Sequence, residues 1–262
     1  MSRFATRLPQ YLLIATVLLL LAQLAVPAQG QTEIKECGTT IKVGGGTYVL
    51  ANDLLNCPGD GIDIAAGHIT LELGNHEING SGQGVGIRVA RGEGLLTREV
   101  IIHGPGKISG FDKGLELDDN EKAKVTEVTC SGNNTGFFVN LRSGGDSWDN
   151  RLEKNLATAN HGDGFVINDN WSHYEYNESN GNSGSGFLLS APHAEDSFVV
   201  GNTANQNANA GIQAQSGAVR NMIRDNHAHG NFVLDLVDDN PSGCPNQWYQ
   251  NSFGSANKKC IQ

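Results

Sequence analysis

The chain has 262 residues, and its 18 Lys and Arg face 28 Asp and Glu, a formal net charge of −10 at pH 7. A surface this acidic repels nucleic acid and anionic lipid, and it repels a polyanionic glycan unless a metal ion bridges the two. Five cysteines and 34 glycines point away from an ordinary cytosolic domain and toward an oxidising compartment and a turn-rich fold.

Residues 1–30 read as a secretory signal peptide. Arg3 and Arg7 precede an apolar run from Tyr11 to Val26, and small residues around Ala28 and Gly30 offer a cleavage site. A retained anchor is the competing reading, because the run is nearly long enough to span a bilayer. No later stretch is apolar enough to cross, so no stable membrane insertion is expected after cleavage. Without Arg3 and Arg7, 16 basic residues face 28 acidic ones, a net charge of −12. Residues 31–60, with GTYVLANDL (Gly46–Leu54), are expected to cap the first coil of a repeating region, because an open end exposes core and unpaired strand edges.

From residue 61 to 235 one unit recurs. NRLEKNLATANHGDGFVI (Asn150–Ile167) returns in outline as SHYEYNESNGNSGSGFLL (Ser172–Leu189) and SFVVGNTANQNANAGIQA (Ser197–Ala214), then as the shorter NMIRDNHAHGNFVL (Asn221–Leu234). Asn155, Asn177 and Asn202 share one column, Asn160, Asn182 and Asn207 a second, and Gly164, Gly186 and Gly211 a third. Leu152, Tyr174, Val199 and Ile223 form a bulky apolar column, and Ala157, Ser179, Ala204 and Ala228 a small one. Self-similarity of this kind marks a solenoid. After each glycine the residues alternate apolar, variable, apolar, which is the period of a strand. The glycines are expected to supply turns of positive φ, with Asn as the next-best residue there, and stacked Asn side chains to hydrogen-bond between coils. Coils start at Gly61, Gly86, Gly114, Gly136, Gly164, Gly186 and Gly211, with a final FVLD from Phe232. Eight coils about 4.8 Å apart make a rod roughly 38 Å long. Residues 236–262, with Trp248, Tyr249 and Phe253, are expected to plug the far end.

Cys37 and Cys57 bracket the N-terminal segment and Cys244 and Cys260 the C-terminal one, so pairing within each end is preferred. The C-terminal bridge is worth roughly 3 kcal/mol in the chain-entropy picture. Cys130 falls in the small column, where a buried free thiol serves as a small hydrophobe.

TYVLANDL, GDGIDI, HITLELGNHEINGSG, GIRV and the closing CPNQWYQNSFGSANKKC resemble bacterial right-handed parallel β-helix repeat proteins of the pectate-lyase-like superfamily. The resemblance covers the whole exported chain and implies an all-β, right-handed parallel β-helix of three sheets, often with a groove along one of them. Lyases, hydrolases, epimerases and chains without activity share that fold, so it constrains the reaction weakly. The chain is also similar to β-helix proteins of periplasmic copper-enzyme maturation. Two Met and no Cys/Met cluster argue against copper binding here.

In the strands after each glycine, the outward positions read Asp63, Arg88, Glu116, Phe138, Val166, Leu188 and Gln213, then Ala65, Ala90, Asp118, Asn140, Asn168, Ser190 and Gln215. Arg88, Glu116 and Asp118 are the catalytic candidates, together with His173. Glu116, Asp118 and Asn140 are the candidate calcium ligands, calcium being expected if the glycan is acidic. The competing reading of the charges is a structural ladder, Asp63–Arg88–Glu116. Asp63, Trp148, Asn168, Trp171 and Tyr176 are the substrate-binding candidates, because aromatic faces at a β-helix edge suit sugar rings. His227 and His229 lack a third ligand. The apolar outward stripe of Phe138, Val166 and Leu188 is expected to lie under the insertion 141–149, with Trp148 packed on it. These residues point to a secreted or periplasmic envelope protein that binds an extracellular polysaccharide along the outward face from Asp63 to Leu188, with lyase, hydrolase or epimerase chemistry as a further option there. The alternative is a non-catalytic envelope or interaction scaffold, favoured by the many amides of the second half.

Overall fold

Each coil of the chain presents three short parallel strands, and every strand pairs with its counterpart one coil earlier and one coil later. The computed structural model describes residues 30–90, 97–142, 147–241 and 243–262. Residues 1–29 of the signal-peptide segment and residues 143–146 of the insertion, Asp146 included, lie outside them. Among the described residues there is no helix, and the architecture is a right-handed parallel β-helix of about eight coils.

The first face stacks Thr32–Ile34, Thr47–Leu50, Thr70–Glu72, the front of Ile101–Ser109 and of Lys124–Ser131, Arg151–Glu153, His173–Glu175, Phe198–Val200, Met222–Arg224 and Gln247–Tyr249. The second stacks Leu54–Cys57, Glu77–Gly80, the back halves of the same two long strands, Leu156–Thr158 and Glu178–Asn180. The third runs through nine strands from Thr39–Ile41 to Leu234–Asp238. The segment expected as a cap, residues 31–60, thus pairs in register with the coils. At the far end Gln247–Tyr249 extends the first face and Ser252–Phe253 the second. Trp248 is buried in the bulky column, and its indole N–H donates to Asp238 at 2.9 Å.

The columns read from the sequence are the columns of the core. Val125, Leu152, Tyr174, Val199, Ile223 and Trp248 are register partners on the first face. Cys130 stands beside Ala157, fully buried, and burial pushes its thiol well above the usual range. Phe137, Phe165 and Phe187 stack inside with ring centroids 4.5 and 4.7 Å apart. Both disulfides form as expected, Cys37–Cys57 and Cys244–Cys260, leaving Cys130 free.

The polar interior is one of amide ladders. Asn155 Nδ2 donates to Asn177 Oδ1, Asn177 to Asn202, and Asn202 to Asn226, at 3.0–3.1 Å. Each side-chain oxygen also accepts the backbone N–H of the Asn one coil earlier, as Asn177 does from Asn155 at 2.9 Å. A second ladder runs Asn133, Asn160, Asn182, Asn207 and Asn231. Each rung thereby has its amide donor and acceptor matched, which removes the cost of an unsatisfied polar group.

The glycine column has a different cause from the one expected. Gly164, Gly186 and Gly211 do not adopt positive φ. They are glycine because the next coil leaves no room: a Cβ on Gly186 would lie 2.6 Å from the carbonyl oxygen of Gly211. The left-handed residues sit instead at the three corners of the coil, where Asp149, Trp171, Asp196 and Arg220 mark one, Lys154, Tyr176 and Asp225 the second, and Ala159, Gly181, Gln206 and Gly230 the third. No amide of the ladders is among them.

Candidate functional site

The outward column of the third face runs in register as Asp63, Arg88, Glu116, Phe138, Val166, Leu188 and Gln213. Glu116 in this column and Asp118 in the next outward one are closed rather than open. Glu116, 5% exposed, accepts from Arg88 Nε at 3.2 Å and from Lys113 Nζ at 2.5 Å. Asp118, 3% exposed, accepts from Asn140 Nδ2 at 3.0 Å and from Arg142 Nε at 2.8 Å, and Arg142 Nη2 pairs with its other oxygen. The expected ladder through Asp63 is corrected here: Arg88 reaches past Asp63 to Asp60, Nη1 to Oδ2 at 2.6 Å. Asp60 lies in the turn before the strand, and the long guanidinium arm selects reach over register. Left without that hydrogen bond, Asp63 has its carboxyl raised by burial, with the charge of Arg88 opposing.

Three expected calcium ligands, Glu116, Asp118 and Asn140, therefore adjoin, but their oxygens are taken up by Arg88, Lys113 and Arg142, and Asn140 turns its NH₂ toward Asp118. Asn140 Oδ1 accepts from Asn168 Nδ2 at 2.9 Å, and Asn168 Oδ1 is buried without a partner. Asn168 and Asp63 thus belong to this face.

The stripe is half-buried without the insertion's tryptophan. Lys113 Nζ lies 4.2 Å from the Phe138 ring centroid and Val166 is 8% exposed. Trp148 stands in a corner ladder between Glu121 and Asn170, with Lys122 Nζ 5.5 Å from its ring. The expectation of Trp148 packed on Phe138 is corrected: its bridge partners hold it at the turn between faces.

On the first face, the strand His173–Glu175 is bracketed by Trp171 and Tyr176, both left-handed and 57% and 58% exposed. His173 stacks on Phe198 of the next coil, centroids 4.6 Å apart and planes 11° from parallel. Its Nδ1 lies 3.1 Å from Glu175 Oε1, and Arg151 Nη1 lies 3.6 Å from the other oxygen. Glu175 so oriented directs the proton of neutral His173 to Nδ1 and leaves Nε2 as an acceptor. Beneath this strand Asp169 is fully buried, accepting from Tyr174 OH at 2.6 Å, Ser172 Oγ at 2.5 Å and Asn150 Nδ2 at 3.1 Å. Burial raises its carboxyl to about 6 against those hydrogen bonds.

The candidates thus divide between two faces. Arg88, Glu116, Asp118, Asn140, Asp63 and Asn168 share the third, His173 lies on the first, Trp171 and Tyr176 stand at the two corners that bound it, and Trp148 stands at the corner of Trp171. The sequence reading missed Asp60, Lys113, Arg142, Glu175, Phe198 and Asp169. Phe198 was findable, since it occupies the column of His173 in the aligned repeats, and Lys113 stands three residues before Glu116. Arg142 and Asp169 carry no such signal.

Among the described residues no group of three His, Cys, Asp or Glu is arranged to hold a metal ion. His227 and His229 are both exposed, and His229 Nε2 lies 2.9 Å from Ser252 Oγ. Among the described residues no helix is long and apolar enough to cross a membrane.

Of solved structures, the Azotobacter vinelandii mannuronan C-5 epimerase AlgE6 A-module superposes at a TM-score of 0.57 and 16% identity, over 85% of this chain and 66% of that module. This chain therefore spans just under two thirds of it, and the likeness shows the fold. The A. vinelandii AlgE4 A-module (TM-score 0.43, 16% identity, 80% and 65% covered) and the Dettilon tailspike protein (0.40, 13%, 87% and 61%) are more distant. No curated protein matches the chain. A family model described as "Periplasmic copper-binding protein (NosD)" matches residues 40–260, most of the chain. That periplasmic family and the two disulfides place the protein in a secreted or periplasmic setting. With the match running from the first coils through the C-terminal disulfide, the chain belongs to the NosD family.

Proposed function

We propose that the protein binds a polysaccharide in the periplasm or at the cell envelope, through the first face. The observation that carries this reading is the pair of exposed rings, Trp171 and Tyr176, held at the two ends of one strand with the His173 edge between them. Large rings exposed at the two corners that bound a rigid sheet, with a polar group between, match the flat apolar face and rim hydroxyls of a pyranose.

Copper, which the family's description names, does not fit the donors of this chain. Four of the five cysteines are in disulfides, Cys130 is buried in the core, and Met222 stands on the first face with Phe198 and Gln247 as neighbours. Soft sites for copper need clustered thiolate, thioether or imidazole ligands, so no step is assigned to the metal. Chemistry on the third face, with or without calcium, would require Arg88, Lys113 and Arg142 to withdraw from Glu116 and Asp118. Binding is accordingly the reading that the geometry favours over cleavage or epimerisation.

Affinity electrophoresis tests it. The processed protein is run through gels containing neutral or uronic-acid polysaccharides, with and without calcium, and the glycans are then analysed by mass spectrometry. Retardation with unaltered glycan is expected. No retardation by any member of a broad panel would overturn the reading in favour of a bare scaffold.

A further inference from the structure

Resting on the polysaccharide reading, we propose that the ligand is an uncharged glycan that lies across the rod, along the strand His173–Glu175, and not along the rod axis. The direction follows from what each corner offers. Along the axis, Trp171 has Asp149 and Asp196 as register neighbours and Tyr176 has Lys154 and Gly201; Trp148, one coil earlier and one position off at the Trp171 corner, is less exposed and has Lys122 Nζ 5.5 Å from its ring, so neither corner repeats an open ring from coil to coil. Across the face, the same coil supplies Trp171, then His173, then Tyr176.

The tyrosine is prepared for this. Tyr176 lies against Gly201 of the next coil, where a Cβ would come within 2.7 Å of Cε1 and 2.8 Å of Cδ1. The missing side chain is the seat of the ring. His173 stacks on Phe198 of the next coil with its Nδ1 taken up by Glu175, which leaves Nε2 as the ring nitrogen free to hydrogen-bond a ligand between the two platforms. The stretch from Trp171 to Tyr176 spans at most about 16 Å, room for roughly three sugar rings.

Charge selects the class. The arginines of this surface are committed: Arg151 to Glu175, Arg220 to Glu195 and Asp196, and Arg224 to Asp225. Lys154, beside Tyr176, lies 3.9 Å from Glu153, and with a chain charge of −10 a uronic-acid polymer meets more carboxylates than cations around the rings and is repelled at long range. A neutral glycan has only to cover the rings and engage His173.

The test is titration calorimetry with cello-, xylo- and manno-oligosaccharides of two to six units, and with oligouronates of the same lengths with and without calcium. The proteins compared are wild type, Trp171→Ala, Tyr176→Ala and Gly201→Ala, each checked by circular dichroism. Neutral oligomers are expected to bind, with affinity rising to three or four units and then levelling. Trp171→Ala and Tyr176→Ala are each expected to lose tenfold or more, and Gly201→Ala, which keeps Tyr176 but fills its seat, a comparable amount. Preference for oligouronates, or binding unchanged in all three variants, overturns the inference and leaves polysaccharide binding standing. Absence of binding to every oligomer overturns both.

Discussion

The first and third faces are built on the same plan and offer opposite chemistry. On the third, Glu116 and Asp118 are buried under Arg88, Lys113 and Arg142, so two of the three outward carboxylates that read as a catalytic acid row are locked into ion pairs. On the first, the polar groups hold aromatic side chains in place and leave two rings in solvent. An outward position in a β-helix is thus no guarantee of availability. What decides is whether a cation in a neighbouring turn can reach back over the column.

The largest effect expected bears on what both faces share. Gly186→Ala would place a methyl group 2.6 Å from the Gly211 carbonyl and 2.8 Å from Asn207 Nδ2. Coils cannot separate locally without breaking their ladders, so a loss of roughly 3 kcal/mol or more is expected, read as a large fall in the urea midpoint. A variant as stable as wild type would mean that the coils are more loosely stacked than these distances require.

Next comes the support beneath the first face. The carboxyl of Asp169 sits at about 6 in the folded protein, against 3.8 for a free Asp. The folded state therefore holds a proton more tightly than the unfolded chain, and the stability this contributes is full below pH about 4 and lost as pH rises through 6. The swing is about 3 kcal/mol. Asp169→Asn should flatten that part of the pH profile in denaturant titrations, and an unchanged slope between pH 4 and 6 would rule Asp169 out as its source.

A smaller effect separates the faces. Glu116→Gln leaves Arg88 its partner Asp60 but strips Lys113 of its carboxylate, with a cost of about 2 kcal/mol expected. Glycan retardation on native gels should stay as in wild type. If it disappears while the fold persists, the third face is the binding surface and the roles of the two faces are reversed.

These contrasts also show where sequence reading stops. Column membership was legible, because a coil repeats its inward positions every 22 to 28 residues and burial enforces the pattern; Leu152, Tyr174 and Val199 could hardly be placed elsewhere. The disulfides followed from their positions at the two ends. Pairing of charges was not legible, since Arg88 chooses Asp60 over Asp63 and Arg142 reaches Asp118 from a turn, and these are matters of side-chain length across corners. The glycines were placed correctly for a reason the structure replaces, crowding by the next coil in place of a turn. Asp169 was invisible because nothing in NDNWSHYEY marks the one carboxylate that turns inward.

The amide ladders have a direction. Every Asn hands a hydrogen toward the C-terminus, and the series ends on acceptors that hand nothing on: Asp235 takes Asn231 at 2.9 Å, Asp238 takes Asn246 at 3.1 Å, and the carbonyl of Gln262 takes Asn251 at 3.0 Å. Burial alone would raise Asp235 and Asp238, yet the hydrogen bonds they collect hold both below the usual carboxylate range, so they stay ionised as sinks. Each rung is interchangeable with its neighbour, which lets a coil be copied or deleted without rewriting the rest. Two of the ladders thus close on ionised carboxylates, which give the last amide of each a partner that needs no further coil.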